Sequence, residues 1–286
     1  MSGEPLPSDL VRELVLRALR EDLAHQDVTT DALFDRSVSA RATVVSEEPD
    51  DLILAGLDVA LRVFAEVDSH LVSRAQYTDG DRVPPHANLL TVQGDGRSVL
   101  KAERVALNFL QRLTGIATLT AKFCEAVKGT PVRILDTRKT TPGLRALEKW
   151  AVRLGGGHNH RFGLGEGVLI KDNHLALADG DVAGACRRAR ERAPHGFRIE
   201  VETRTLEDVR QALHGKADII LLDNMIPAMI RDAVDVIKGR ALVEVSGGVS
   251  LANIREIASA GPDYISIGAL THSAPAANLS LDLVKQ

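Results

Sequence analysis

The residues best equipped for chemistry crowd into positions 136–174. Asp136-Thr-Arg-Lys-Thr-Thr-Pro-Gly143 opens the stretch and Lys171-Asp-Asn-His174 closes it. Gly155-Gly-Gly157 and His158-Asn-His-Arg161 lie between. Arg138, Lys139, Arg161 and Lys171 bring fixed positive charges, and His158 and His160 can add more. The whole chain nevertheless holds 35 Lys+Arg against 39 Asp+Glu, a net charge of −4. Dense local cations in a mildly acidic protein describe a focused anion site, whereas a nucleic-acid surface needs a broad basic face. The expected ligand is small and carries several negative charges.

The elements that must hold these residues fall into two patterns. In the N-terminal third, Val11, Leu14, Val15, Ala18 and Leu19 form an apolar stripe at helical spacing over 10–23. Short β-like runs follow at 40–46, 70–77 and 88–92, separated by Asp79-Gly80-Asp81 and Pro84-Pro85. A second helix is predicted over 99–114, with Arg104, Asn108 and Gln111 on its polar face and Thr114-Gly115 as its end and as a domain boundary. After 116, buried strands alternate with helices. Strands are predicted at 132–136, 168–171, 197–202, 218–223, 242–246 and 264–268, with room for a short seventh near 155–157. Helices are predicted at 144–154, 181–193, 205–214, 227–237 and 250–260. This is the signature of a parallel sheet with crossover helices, curled into an incomplete barrel. The predicted domains are 1–115, a barrel over 116–270, and a segment at 271–286 that packs back on the first domain.

In α/β barrels the chemistry gathers at the carboxyl ends of the strands. Here those ends carry Arg138-Lys139-Thr140, Lys171, Glu200 with Glu202, Asp223, Ser246-Gly247-Gly248, and Gly268-Ala269-Leu270. Glu200 and Glu202 share a strand face because side chains alternate with period two. Ser246-Gly-Gly248 precedes a helix whose predicted N-cap is Ser250, an arrangement suited to a phosphate. Gly268-Ala269 follows the next strand, and barrel phosphate sites commonly use the loops after the last two strands. Acids beside phosphates commonly hold Mg²⁺, which makes Glu202 and Asp223 the candidate ligands. Each feature also has a plainer reading. Arg138 and Lys139 could be solvated loop charges, His160 a satisfied structural histidine, and the glycine triplet a packing device. Lys171 needs an anionic partner, a ligand or an acid such as Asp223. Glu202 and Asp223 could be ion-pair partners of Arg138 and Lys171 and nothing more.

Composition narrows the field. The 286 residues suit one large or two modest domains, and 44% hydrophobic content can bury a core without staples. Cys124 and Cys186 have no CxxC spacing, so reduced thiols in a cytoplasmic protein are expected. Residues 1–9 lack the apolar run of a signal peptide. No stretch approaches the ~18 apolar residues of a membrane span. Aromatics are only 3%, which disfavours base-stacking platforms.

Taken together these segments resemble the quinolinate phosphoribosyltransferase family. The resemblance rests on Glu103-Arg-Val-Ala-Leu-Asn108, Thr114-Gly-Ile-Ala117, the stretch 136–143, Asn159-His-Arg161, Leu169-Ile-Lys-Asp-Asn-His174, Leu221-Leu-Asp-Asn224, Glu244-Val-Ser-Gly-Gly248 and Gly268-Ala-Leu-Thr271. They run in order over nearly the whole chain, and Glu166 stands where that family more often has aspartate. The resemblance implies an N-terminal α/β sandwich and an open seven-stranded α/β barrel, assembled as a homodimer or higher oligomer. It implies a site shared between subunits, with Arg104 reaching the partner's barrel. The implied substrates are quinolinate and phosphoribosyl pyrophosphate, with Mg²⁺. Arg104, Arg138, His160, Arg161 and Lys171 would meet the two carboxylates of quinolinate, forked where the cation is Arg. Thr140 and Glu200 would line the same site, and Lys139 would face the leaving pyrophosphate. Ser246, Gly247, Gly248, Gly268, Ala269 and Leu270 would hold the sugar phosphate. Glu202 and Asp223 would stand at the metal and the ribose. Three rivals stand beside this reading: a Schiff-base lyase using Lys171, a transferase of the same architecture acting on another carboxylated acceptor, and a non-catalytic phosphate-binding module.

Overall fold

The computed structural model describes residues 6–23 and 26–286, so part of the 1–9 segment read for a signal lies outside the described residues. In chain order the N-terminal elements are α1 (Ser8–Asp22), α2 (Val28–Leu33), β1 (Ser39–Ser46), β2 (Leu52–Ile53), α3 (Leu57–Val67), β3 (Val72–Ala75), β4 (Arg82–Val83), β5 (Asn88–Asp95) and α4 (Gly96–Ala126). There follow β6 (Arg133–Leu135), α5 (Arg145–Leu154), β7 (Val168–Ile170), α6 (Asp172–Ala176), α7 (Val182–Arg192), β8 (Ile199–Thr203), α8 (Leu206–His214) and β9 (Ile219–Asp223). The last are α9 (Pro227–Ile237), β10 (Leu242–Ser246), α10 (Ile254–Ser259), β11 (Tyr264–Ser266), α11 (Ala269–His272) and β12 (Leu279–Lys285). Two compact units result. One comprises 1–121, 140–156 and 271–286, and the other 122–139 and 157–270.

The first unit is an α/β sandwich. Its antiparallel sheet has the order β12-β1-β5-β3. Ala40, Ala42 and Val44 alternate inward along β1, and α1 and α3 contribute Val15, Leu19, Val63 and Phe64 to the core. Full burial of a large apolar side chain is worth about 1.5–3 kcal/mol. The C-terminal strand β12 pairs antiparallel with β1. The predicted helix end at Thr114-Gly115 is not an end, because α4 continues to Ala126. A Cβ on Gly115 would lie 1.9 Å from the Pro275 carbonyl oxygen, so this glycine lets the C-terminal segment cross the helix closely. Gln111, assigned to the polar face, donates to the Leu279 carbonyl at 2.9 Å. Arg112 donates to buried Glu148 of α5 at 2.8 Å and to the Thr271 carbonyl, and the Thr141 hydroxyl donates to Glu148 at 2.7 Å.

The second unit is the open barrel. Its parallel sheet has the order β6-β11-β10-β9-β8-β7. Beyond β6 a single parallel bridge joins Leu135 to His158, which supplies the short seventh position expected near 155–157. Ile199, Val201, Ile220, Leu222, Val243 and Val245 are buried with Cys186, Val209, Ile230 and Ile254 of the surrounding helices. The intervening positions carry the polar interior, Glu200, Glu202, Asp223, Glu244 and Ser246. The six predicted strands are all present, and no end differs by more than two residues. The predicted helix after Ser246-Gly-Gly248 starts later than expected. α10 begins at Ile254 with Asn253 as its N-cap, not Ser250. Ser250 N–H donates to Asn253 Oδ1 at 2.8 Å, and that local turn takes the place of a first helical turn. The positive end of a helix dipole therefore does not abut Gly248.

Candidate active site

Six parallel strands deliver their carboxyl ends to one cavity of about 650 Å³. Arg138, Lys139, His160, Arg161, Lys171, Glu202, Asp223, Ser246, Gly247 and Gly248 all line it. Thr140 and Arg104 belong to the first unit. Arg145 Nε donates to the Thr140 hydroxyl at 3.0 Å, and Arg104 projects exposed from α4 with Glu103 at 3.9 Å. Glu200 lies below the cavity, on its floor. Gly268, Ala269 and Leu270 are not among the lining residues, and Leu270 is fully buried, so its side chain cannot meet a ligand. Ser266 of β11 lines the cavity instead.

The cations are positioned by β6 and by the segment after the bridge. Asp136, fully buried at the end of β6, accepts from His160 N–H at 2.9 Å and from Asn159 Nδ2 at 2.6 Å. That carboxylate ties 159–161 to the strand. Arg161 is held by its own Nη1, which donates to the Gly167 carbonyl at 2.7 Å. Its guanidinium pKa is lowered by burial and by the neighbouring Arg138 charge, with Glu200 opposing. Two crowded guanidinium groups are the arrangement an anionic ligand relieves.

The acids have partners that the sequence did not reveal. Lys171 Nζ donates to Glu202 Oε2 at 3.2 Å, so its internal acid is Glu202 and not Asp223. Asp223 instead accepts from Arg204 Nε at 3.2 Å. Arg204 also lies 3.0 Å from Asp172 and 3.6 Å from Glu202. The three carboxylates raise the Arg204 pKa, with the Asp223 hydrogen bond leading. Arg204 follows β8 directly and is absent from the residues predicted for the site, since a lone arginine after a strand carries no signal of its own. Glu202 and Asp223 offer only hard carboxylate oxygens, which suit Mg²⁺ bound through one or two carboxylates and substrate oxygens.

The glycine loop is shaped for close approach. Gly247 has φ +88°, and a Cβ there would sit 2.3 Å from Asn224 Oδ1. Gly248 follows with φ +64°. Without Cβ atoms at these two positions the backbone can approach a bound anion closely, without a helix start.

The floor is a polar cluster. His160 Nε2 lies 3.2 Å from Glu200 Oε2 and 3.7 Å from Glu244 Oε1. Burial and the Glu200 charge push the Glu244 carboxyl up to about 7. Beneath it a second cavity of about 460 Å³ opens among Arg133, Val168, Arg198, Ile219 and Tyr264, at the amino ends of the strands. Glu244 is visible in the sequence only as part of a motif, because its neighbours come from three other strands or loops.

Two family models cover the chain. "Quinolinate phosphoribosyl transferase, N-terminal domain" matches residues 27–114 and "Quinolinate phosphoribosyl transferase, C-terminal domain" matches 116–282. The nicotinate-nucleotide pyrophosphorylase [carboxylating] of Mycobacterium leprae is 44% identical over 281 residues, covering 96% of this chain and 98% of its own. The probable nicotinate-nucleotide pyrophosphorylase [carboxylating] of Bacillus subtilis is 38% identical, covering 96% and 93%. The crystal structure of NadC from Streptococcus pyogenes superposes with a TM-score of 0.92 at 40% identity, over 99% of each chain.

Proposed function

The chain belongs to the quinolinate phosphoribosyltransferase family, and we propose that its reaction takes place in the 650 Å³ cavity at the carboxyl ends of the barrel strands. It joins quinolinate to phosphoribosyl pyrophosphate and releases pyrophosphate, CO₂ and nicotinate mononucleotide, a step of NAD biosynthesis. The observation that carries the assignment of the site is the meeting of Arg138, Arg161, Lys139 and Lys171 with two carboxylates and a glycine loop in one cavity.

Quinolinate presents two adjacent carboxylates, and Arg138 and Arg161 are the forks that fit them. The Ser246-Gly-Gly248 loop takes the sugar phosphate. Lys139, exposed at the rim, faces the departing pyrophosphate. Glu202 and Asp223 would hold Mg²⁺ together with substrate oxygens, and the ion would supply charge neutralisation for that leaving group. As the bond to pyrophosphate lengthens, positive charge grows at the ribose C1 and the acids stabilise it. The ring nitrogen attacks without any protein nucleophile, so catalysis is positioning and electrostatic preorganisation. Lys171 is ion-paired with Glu202 and half-exposed, a poor setting for the desolvated amine of a Schiff base.

The assembly is a homodimer with the site completed by Arg104 of the partner, supported by the exposure of Arg104 on a helix whose core does not need it. A cytoplasmic location is supported by the two free thiols, and no helix among the described residues is long and apolar enough to cross a membrane. The deciding assay is release of ¹⁴CO₂ from carboxyl-labelled quinolinate with phosphoribosyl pyrophosphate and Mg²⁺. Pyrophosphate and ¹⁴CO₂ in equal amounts are expected. No ¹⁴CO₂ release from 2-carboxyl-labelled quinolinate, or pyrophosphate release that does not require quinolinate, would overturn the assignment.

A further inference from the structure

Loss of CO₂ leaves an electron pair on ring C2, and one proton must fill it. The acids that line the upper cavity are Asp172, Glu202, Asp223 and Glu244. The first three are each within 3.2 Å of a lysine or arginine. Glu244 has no such partner among the described residues. It is 2% exposed, and its Oε1 accepts no hydrogen bond although it is fully enclosed. Its surroundings are Glu200 on β8, His160, Ser266 on β11 and, farther away, Lys171.

His160 decides what this cluster can hold. Its Nδ1 accepts the Arg161 N–H at 2.9 Å, so the ring proton sits on Nε2. The three ligand atoms of His160, Glu200 and Glu244 lie within 4.8 Å of one another, but Nε2–H has no lone pair for a cation. That N–H lies 3.2 Å from Glu200 Oε2 but 3.7 Å from Glu244 Oε1, and Glu200 Oε1 is also left without a donor. Burial first, and then the Glu200 charge, favours the protonated form of the Glu244 carboxyl.

We propose that Glu244 is the acid that protonates ring C2 after CO₂ leaves, and that the lower cavity returns the proton from water. The Glu244 O–H bond breaks, its proton bonds to C2 through the electron pair that CO₂ left behind, and the carboxylate remains. A solvent proton, delivered as hydronium or buffer acid through the lower cavity, which Glu244 also lines, then bonds to the carboxylate and restores the O–H. The proposal rests on the upper cavity being the active site.

Rapid-quench turnover of the full-length protein with quinolinate, phosphoribosyl pyrophosphate and Mg²⁺ tests it in Glu244→Gln. The pyrophosphate burst is expected at the wild-type rate, while nicotinate mononucleotide forms about 100-fold more slowly, the usual scale of general-acid catalysis. In the wild type, mononucleotide formation should fall as pH rises through about 7, because the carboxyl empties, and the variant should lose that dependence. Equal loss of both products would overturn the proposal, since Glu244 would then only shape the site. Wild-type rates for both would overturn it as well. If Glu244→Gln loses its cooperative melting, Glu244→Asp, which withdraws the carboxyl by one methylene, takes its place: slowed mononucleotide with an intact burst supports the proposal, and equal effects on both products overturn it. Failure of the underlying site assignment is distinct: Arg138→Ala would then leave both products unchanged.

Discussion

Arg204 stands among three carboxylates and alters how each of them reads. With Lys171 it neutralises Glu202 and Asp223 before any ligand arrives, so these acids are both structural pairs and candidate ligands. The two roles separate on mutation. Asp223→Asn and Glu202→Gln are expected to weaken Mg²⁺-dependent turnover and to leave quinolinate binding largely intact. Mg²⁺ titrations of initial rate check this, and an unchanged midpoint and rate would return that acid to a purely structural pair. Arg138 makes a different demand. A buried carboxylate that loses its forked partner costs about 2–5 kcal/mol. Arg138→Ala should therefore lower kcat/KM for quinolinate by about thirty- to several-thousand-fold. Wild-type kinetics for quinolinate in that variant would remove Arg138 from the carboxylate site.

Among the elements, the β10–α10 connection most depends on backbone chemistry. Gly247 and Gly248 adopt left-handed φ values in succession, and Asn224, itself at φ +55°, closes over Gly247. An alanine at 247 meets both a strained φ, costing about 1 kcal/mol, and a clash with Asn224. Gly247→Ala is expected to raise the KM for phosphoribosyl pyrophosphate about fivefold or more, at ~1.4 kcal/mol per decade. The KM for quinolinate should move far less. Steady-state kinetics with each substrate varied in turn would show this, and equal effects on both would mean that the loop does not serve the phosphate alone.

For the whole molecule, the proposed sharing of sites makes a prediction that no single-chain site could satisfy. Arg104→Ala and Lys139→Ala homodimers should both be nearly inactive. Mixed under conditions of subunit exchange, they should regain activity, because one site of each mixed dimer combines two wild-type halves. Random exchange of equal amounts makes about half the dimers mixed, so about a quarter of all sites recover, by the reciprocity of a two-fold interface. Exchange shown by labelled subunits, with no recovery of activity, would mean that each site is built within one chain.

What the sequence determined by itself was whatever the backbone period controls. The alternation of Glu200 and Glu202, the apolar runs of β8 to β10 and the helical stripe of α1 follow from local geometry, and so did the six barrel strands. Local spacing also brought Arg138, Lys171 and Asp223 to the ends of strands. Tertiary structure decided the rest, because it depends on residues far apart in the chain. Gly115 reads as a helix end until Pro275 is found against it. Lys171 meets Glu202, not Asp223, because Arg204 has taken the latter. Glu244 meets Glu200 and His160 only because the sheet curls and its far edge is completed by one bridge at His158. No periodicity encodes such a meeting; register, curvature and burial create it, and burial is the first cause that raises the Glu244 carboxyl.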